Sequence, residues 1–436
     1  MKPTTSPHPS LWKPFALAGN YFLLHIPSSS ILQVPFPLWQ CAQGKNDVEN
    51  LAKLQDLADS LPQTKPSPPI QTSITSLALN VAERCNLRCT YCYAGEGNYG
   101  FDSLMTLDLA QRAILFFLRE DQPLHIVFFG GEPLLNFKLI QEVVAWCETL
   151  PGLPSKSLRF QFSLTTNGVL LTEAHLEFFK KNNFGLKISY DGKLLQDVQR
   201  TKNPKIAESL EKKLVRFSEG LQELRGFHLR STLSREHIDV YAENLLSLLN
   251  SHSYRIQFAR VANTHAKERF TLEDVTKLNA MLTQVVECLL ENEDWDKLLR
   301  IGNLRRHLRV LHEGKIQAFC GAGIHYLSVS TRGEFFLCHR FTEDKEESLG
   351  NLTDGLNQDK LESIRDLRSG KAEPCRSCWM QKFCHGGCFH EHKVANGDIS
   401  KIDPFFCSLQ DTEMLLALKV YVAMKQRAPD VLRASH

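Results

Sequence analysis

The sequence predicts an α/β fold with a mostly parallel sheet, and three observations carry that expectation. Six strand-like runs between residues 75 and 262 alternate with helix-length segments: Ser76–Val81, His125–Phe129, Arg159–Leu164, Leu186–Tyr190, Phe227–Thr232 and Ile256–Val261. Parallel strands need such crossovers. Glycine-bearing turns close the second, third and fourth runs at their C-terminal ends, at Gly130-Gly131, Gly168 and Gly192. Ten of the thirteen cysteines fall into clusters with ligand-like spacing, three after the first run and seven beyond residue 314. The pattern alone leaves open sheet and barrel as alternatives.

At 436 residues with 43% hydrophobic content the chain can bury a large core and should divide into two or three domains. Its formal charge is +2, from 51 Lys+Arg against 49 Asp+Glu. No long basic block occurs, so nucleic acid and an anionic membrane are not expected partners. Residues 1–10 have no apolar stretch of signal-peptide length, and even Met414–Val420 is interrupted by Lys419. The expectation is a cytoplasmic chain, where disulfides are rare and clustered thiols point to metal. Cys41, Cys147 and Cys288 stand alone; Cys147 and Cys288 lie in apolar helical stretches and are expected as small core residues.

Residues 1–70 read as a separate hairpin and helix module. Tyr21–Ile26 and Ile31–Val34 flank Pro27-Ser28-Ser29-Ser30, a helical stretch runs from Asp47 to Leu61, and Lys65-Pro66-Ser67-Pro68-Pro69 marks a linker. The six strand and helix units follow over 71–262. Residues 263–313 read as a helical bridge with stretches Leu272–Glu291 and Asp294–Leu311, and 314–436 as a Cys-rich domain.

The chemistry centres on Cys85-Asn86-Leu87-Arg88-Cys89-Thr90-Tyr91-Cys92, directly after the first strand-like run. A short loop leaving a strand end can turn three sulfurs onto one centre. Three thiolates on a 4Fe–4S cube leave its fourth iron without a protein ligand. Zinc loops instead use C-x₂-C pairs. The triplet, with an aromatic before its last Cys, resembles the signature of the radical S-adenosylmethionine (SAM) enzymes. That resemblance implies SAM bound at the open iron, cleavage to a 5′-deoxyadenosyl radical, and hydrogen abstraction from a substrate, with Tyr91 along the adenine. It also selects a partial (β/α)6 TIM-like barrel, with its reactive mouth at the C-terminal strand ends.

Phe128-Phe129-Gly130-Gly131-Glu132-Pro133 matches the family's GGEP motif. Two glycines let backbone approach a ligand, and a carboxylate beside them can receive an ammonium group. The resemblance gives this motif, Gly130, Gly131, Glu132 and Pro133, to the SAM amino group. Thr166 and Asn167 at the third strand end, and Ser189 and Asp191 at the fourth, have groups that suit ribose hydroxyls. Arg230 corresponds to a family arginine that pairs with the methionine carboxylate.

In the C-terminal region the thiols run Cys320, Cys338, Cys375, Cys378, Cys384, Cys388 and Cys407, with glycine turns between them. Zinc and iron–sulfur weigh nearly equally on this array alone. The spacing is similar to the SPASM extension of peptide-modifying radical SAM enzymes, which holds two auxiliary 4Fe–4S clusters. Carried over by position, Cys375, Cys378, Cys384 and Cys407 would ligate the outer one, and Cys320, Cys338 and Cys388 the inner one. His312–Phe319 lacks the additional Cys of fully ligated members, which leaves an open iron or a residue such as His312 or His325. The histidines of residues 385–392 are expected at the surface or beside ligands.

The tract Cys92–Gly100 and the segments Leu229–Leu233 and Phe336–Phe341 are similar to thioether-forming peptide maturases and to the quinohemoprotein amine dehydrogenase maturase. This implies a crosslink, C–S or C–C, in a ribosomally made peptide or protein, presented by a leader segment that the N-terminal module would dock. Flavodoxin or ferredoxin is the implied electron donor. The alternative is an anaerobic sulfatase-maturing enzyme. That branch carries an Asp after the Cys matching Cys338, where this chain has His339, the candidate base. A non-catalytic iron–sulfur or zinc protein is the alternative of another class.

Overall fold

The computed structural model describes residues 11–62, 73–150, 160–201, 203–261, 269–313, 320–342, 344–370 and 373–434. The proline-rich stretch 65–69, Arg159 and residues 314–319 lie outside them.

The N-terminal module has three strands where two were expected. Strands β1 (Trp12–Leu17), β2 (Asn20–His25) and β3 (Ser30–Val34) form an antiparallel meander. The two-residue turn Ala18-Gly19, both at positive φ, joins β1 to β2. Pro14 within β1 hid that strand from a sequence reading. Helices Phe36–Ala42 and Val48–Ser60 cover one face, the second capped by Asp47 accepting from the Asn50 amide. Trp12, Leu23, Val34, Leu38 and Leu54 form the module's own core, while Phe15, Phe22 and Leu24 join the main one.

All six parallel strands occur where expected, to within two residues. They are β4 (Ser76–Glu83), β6 (Leu124–Gly130), β7 (Phe160–Thr166), β8 (Gly185–Ser189), β9 (His228–Leu233) and β10 (Arg255–Arg260), and the short β5 (Ser103–Leu104) pairs antiparallel with β4. Their order in the sheet is β10-β9-β8-β7-β6-β4. Alternation places Leu77, Leu79, Ile126, Phe128, Leu164, Leu186, Ile188 and Leu229, all 0% exposed, against the outer helices. Each such side chain contributes about 1.5–3 kcal/mol of burial. The alternate residues face the interior of the curve.

The free edge of β4 is taken by the C-terminal region. Strand β11 (Tyr326–Val329) pairs parallel with β4, and β12 (Glu334–Phe336), β13 (Ser348–Asn351) and β14 (Gly355–Leu356) continue the sheet antiparallel. Glu83, at the end of β4, clamps this junction: it accepts from the Thr331 hydroxyl at 2.6 Å and pairs with Arg332 at 2.7 Å.

The bridge contains helices Val275–Glu291, Trp295–Arg300 and Gly302–Glu313. The second expected stretch breaks at Ile301, whose backbone forms a β-bridge to Ile256 at the edge of β10. Cys147 is buried as expected, but Cys288 is exposed. On that helix Val285, Val286, Leu289 and Leu290 turn inward, which leaves Glu287 and Cys288 outside. A 24-residue helix, Pro404–Arg427, is buried on nearly every side and packs on two of the bridge helices. Among the described residues no helix is long and apolar enough to cross a membrane.

Candidate active site

The cysteine triplet leaves the end of β4 as a loop closed by its own backbone: the Cys92 amide donates to the Cys89 carbonyl at 3.2 Å. Cys85 Sγ accepts from the Leu87 amide at 3.4 Å and from Asn167 Nδ2 at 3.8 Å. Burial, followed by neighbouring charges, raises Cys85 to about 11 and Cys89 to about 12, with each thiolate disfavouring the others. Three crowded thiols with no ready means of ionising suit a metal that deprotonates them on binding. Among the described residues no three His, Cys, Asp or Glu side chains gather as a site for one metal ion.

The glycines of the GGEP turn serve a close approach, but to protein rather than ligand. A Cβ on Gly130 would lie 2.2 Å from the Ala82 carbonyl oxygen, and one on Gly131 would lie 2.3 Å from the Gly97 and 2.4 Å from the Arg84 oxygens. The Gly131 amide donates to Ala82 at 2.7 Å and the Glu132 amide to Arg84 at 2.8 Å. The motif therefore clips the strand end from which the triplet loop departs. Glu132 is 0% exposed and accepts three hydrogen bonds, from Leu134 N (3.0 Å), Thr166 Oγ1 (2.8 Å) and Asn167 N (2.8 Å). Pro133 follows as the first residue of a 3₁₀ turn. Burial raises the Glu132 carboxyl to about 7 against these three bonds. A carboxylate has about four lone-pair directions, so one acceptor position remains.

Asp191 has none left. Its oxygens accept from Tyr91 OH (2.6 Å), Thr232 N (2.8 Å) and Arg200 Nη2 (3.0 Å), and the Arg200 pair closes at 2.9 Å through Nε. The Gln199 amide adds a contact at 3.4 Å. The expectation that Asp191 meets ribose hydroxyls is corrected here, because a fully buried carboxylate with four hydrogen-bond donors and the Arg200 charge against it is a structural anchor. It fixes Tyr91, over whose ring the Arg200 guanidinium lies at 5.2 Å. Ser189 ends β8 beside Arg230 of β9. Arg230 faces the interior and, among the described residues, has no carboxylate partner; burial and then the Arg340 charge lower it to about 10.

The seven C-terminal thiols gather in two groups. Burial first, then mutual charge, raises Cys338 to about 12 beside Cys388 and Cys320, and Cys388 to about 11. Cys384 and Cys407 are raised in the same way beside Cys375 and Cys378. Cations attend both: Arg368 Nη2 lies 3.5 Å from Cys320 Sγ, and Arg306 feels Cys384 and Cys320. The His325 ring packs over Gly321, next to Cys320, and His312 lies near Tyr421. His390 and His392 are buried rather than at the surface: His392 is 0% exposed between the Gly386 carbonyl and the Asp403 amide.

His339 follows Cys338 and lies at the mouth of the curved sheet. Its ring stacks on Phe129 at 3.9 Å between centroids, and Nδ1 meets Tyr326 OH at 2.9 Å. Burial, then Arg340 and Arg230, lowers it well below the usual histidine value, so the imidazole is neutral near pH 7. Tyr93 spans the gap between the two halves: its ring lies 6.0 Å from His339, and both Cys92 and Cys338 act on its hydroxyl. Sequence reasoning missed Arg200, Tyr93 and the Gln199 backbone, which receives the Thr90 amide at 2.9 Å. Arg200 sits in a π-helical turn, Asp197–Thr201, whose charged residues carry no periodic signal.

A family model described as the radical SAM superfamily matches residues 79–212. An uncharacterized protein of Methanocaldococcus jannaschii is 27% identical over 70% of this chain and 95% of its own length. The radical SAM cyclopropyl synthase TigE of Paramaledivibacter caminithermalis is 23% identical over 77% of this chain and 72% of its own length. A cysteine-type anaerobic sulfatase-maturating enzyme of Clostridium novyi is 31% identical over 28% of this chain and 33% of its own length. Among solved structures, anSMEcpe with bound AdoMet superposes with a TM-score of 0.67 at 19% identity, covering 83% of this chain and 97% of that one. SuiB of Streptococcus suis bound to S-adenosylmethionine gives 0.53 at 14% identity, over 88% and 96%. Both have also been solved with peptides, Cp18Cys and the precursor SuiA. Residues 79–212 thus form a radical SAM domain, in a chain that shares the fold of anSMEcpe and SuiB.

Proposed function

We propose that the chain is a peptide or protein maturase that installs a crosslink, a thioether or a carbon–carbon bond, in a ribosomally made substrate. The observation that carries this reading is Tyr93, which lies between Cys92 of the triplet and Cys338 of the C-terminal group while packing on His339. The candidate radical site and the candidate inner auxiliary cluster are thereby neighbours, which suits the joining of two substrate positions. The peptide complexes of the fold relatives support a peptide substrate.

Cys85, Cys89 and Cys92 would hold a 4Fe–4S cluster that, with SAM, supplies the radical for hydrogen abstraction. The remaining acceptor position of Glu132 would accept from the SAM amino group, and Thr166 and Asn167 aim that carboxylate. Arg230 takes the methionine carboxylate. Tyr91, held by Asp191, flanks the adenine, while Ser189 and the Asn167 side chain line the ribose side. Cys320, Cys338 and Cys388 hold the inner auxiliary cluster, and Cys375, Cys378, Cys384 and Cys407 the outer one. The neutral His339 accepts a substrate proton. The N-terminal module, tied to the C-terminal domain by Lys13–Asp411 at 3.2 Å and by Lys382 donating to Pro27 O at 2.6 Å, docks a leader segment. A flavodoxin or ferredoxin delivers the electron.

The second reading, oxidation of a Ser or Cys to formylglycine, is favoured by the overlap with anSMEcpe and weakened by His339 in place of an Asp. Anaerobic reconstitution with SAM and dithionite, followed by mass analysis of a co-expressed precursor peptide, tests both. A crosslink supports the proposal, formylglycine replaces it with the second reading, and absence of 5′-deoxyadenosine refutes both.

A further inference from the structure

Three cations drawn into the fold have carboxylate partners. Arg200 pairs with Asp191 at 2.9 Å, Arg340 with Glu391 at 3.2 Å and Arg332 with Glu83 at 2.7 Å. Two cations in the interior of the curved sheet do not. Among the described residues neither Lys187 nor Arg230 has a carboxylate within ion-pair distance, and neither side chain donates a hydrogen bond there.

Their positions follow from the strands. On β8, Leu186 and Ile188 are 0% exposed on the outer face, so Lys187 and Ser189 project inward. Lys187 pairs with Thr165 and His228, and Ser189 with Arg230. Lys187 thus lies one pleat repeat, about 7 Å, deeper than the row that holds Arg230. Its amine stands among His228, His125 and Arg230 and feels each of them. His125 is itself held by Ser163 Oγ at 2.8 Å, and Arg225 and Arg255 add positive charge near the same end. Two buried carboxylates of the barrel are committed: Asp191 has its donors and Glu132 lies at the mouth, held by three.

Two unpaired cations on one inner face of the sheet repel each other, and an anion placed beside them offsets that repulsion. One SAM carboxylate at Arg230 offsets one of them. The deeper charge needs an anion of its own, and in a peptide that anion is a carboxylate. We infer that Lys187, with His228 beside it, forms a carboxylate site in the barrel interior, beneath the SAM site, that fixes the substrate. This rests on the reading of the substrate as a peptide, whose carboxylate is either an acidic side chain or the chain terminus.

The test uses crystals of the anaerobically reconstituted holoenzyme soaked in bromide, with and without SAM. A bromide ion beside Lys187 in both, absent from Lys187→Met, is the expected result. No bromide there, or bromide displaced when SAM is added, would overturn the inference, the second because SAM itself would be the anion. Soaks with N-acetylalanine and with N-acetylglutamate blocked as its α-methylamide separate the two carboxylate sources, and order for neither would overturn the carboxylate assignment. In solution, Lys187→Met should raise the KM of a co-expressed precursor peptide by about 30-fold or more, the loss expected for a buried charge partner, with Lys187→Arg partly restoring it. An equal loss of SAM affinity would instead place Lys187 in the SAM site. Failure of the peptide reading shows separately, as a wild-type enzyme that makes 5′-deoxyadenosine but leaves peptides unmodified.

Discussion

Asp191→Asn is the substitution whose consequence follows most directly from the geometry. Asp191 is 0% exposed and holds Arg200 at 3.0 Å, the Thr232 amide at 2.8 Å and the Tyr91 hydroxyl at 2.6 Å. Asn keeps the shape but presents an NH₂ group to donors already in place, and it leaves Arg200, 6% exposed, without its counter-charge. Removing one partner of a buried pair costs about 3–5 kcal/mol, which corresponds to local opening more than about a hundredfold more frequent. Replacing both, Asp191→Leu with Arg200→Met, should cost less than Asp191→Asn alone, because the penalty comes from the uncompensated charge. Native-state hydrogen exchange of the reconstituted enzyme, followed at peptides containing Thr232 and residues 85–92, measures this opening. Exchange in Asp191→Asn within about threefold of wild type, or a double variant worse than the single, would refute the assignment of Asp191 as the anchor of Tyr91 and Arg200.

Three further outcomes are expected. SAM binding should weaken as pH falls through about 7, where Glu132 takes up a proton and can no longer accept from the SAM amino group. An amine that ligates iron gives up its proton on binding, so no loss is expected above about 8, where the free amine is already neutral, and calorimetric titration across pH should show the acid limb alone. Gly131→Ala drives a Cβ to 2.3 Å from the Gly97 oxygen and displaces the triplet loop; iron content should drop from about twelve to about eight per chain, with 5′-deoxyadenosine formation lost. Cys384→Ala should also lose about four irons, but it should still cleave SAM while failing to convert the peptide.

Much of the fold was legible because the six strands advertise themselves twice, as apolar runs and by the glycine turns after them. Strand β1 was not, since Pro14 interrupts its pattern and its pairing depends on the turn at Ala18-Gly19. Nor was the pairing of β11 with β4, a contact between segments about 250 residues apart that no local pattern records. At the site, the ten clustered thiols stand out in the sequence by spacing, because ligand geometry constrains neighbours along the chain. Sequence alone misjudged Asp191, whose carboxylate looks available until Arg200 is seen to fold back onto it. It also misjudged Cys288, where one residue of helical phase separates core from solvent. Lys187 passed unnoticed because an isolated lysine within a strand reads as an exposed residue, and only the curvature of the sheet turns it inward.

The central claim is that SAM binds to the cluster held by Cys85, Cys89 and Cys92. Double-resonance spectroscopy of the reduced enzyme, with SAM isotopically labelled at its amino nitrogen, tests it directly. The account predicts a hyperfine coupling from that nitrogen to the cluster in wild type and none in Cys89→Ala; an uncoupled nitrogen in fully loaded wild-type enzyme would contradict it.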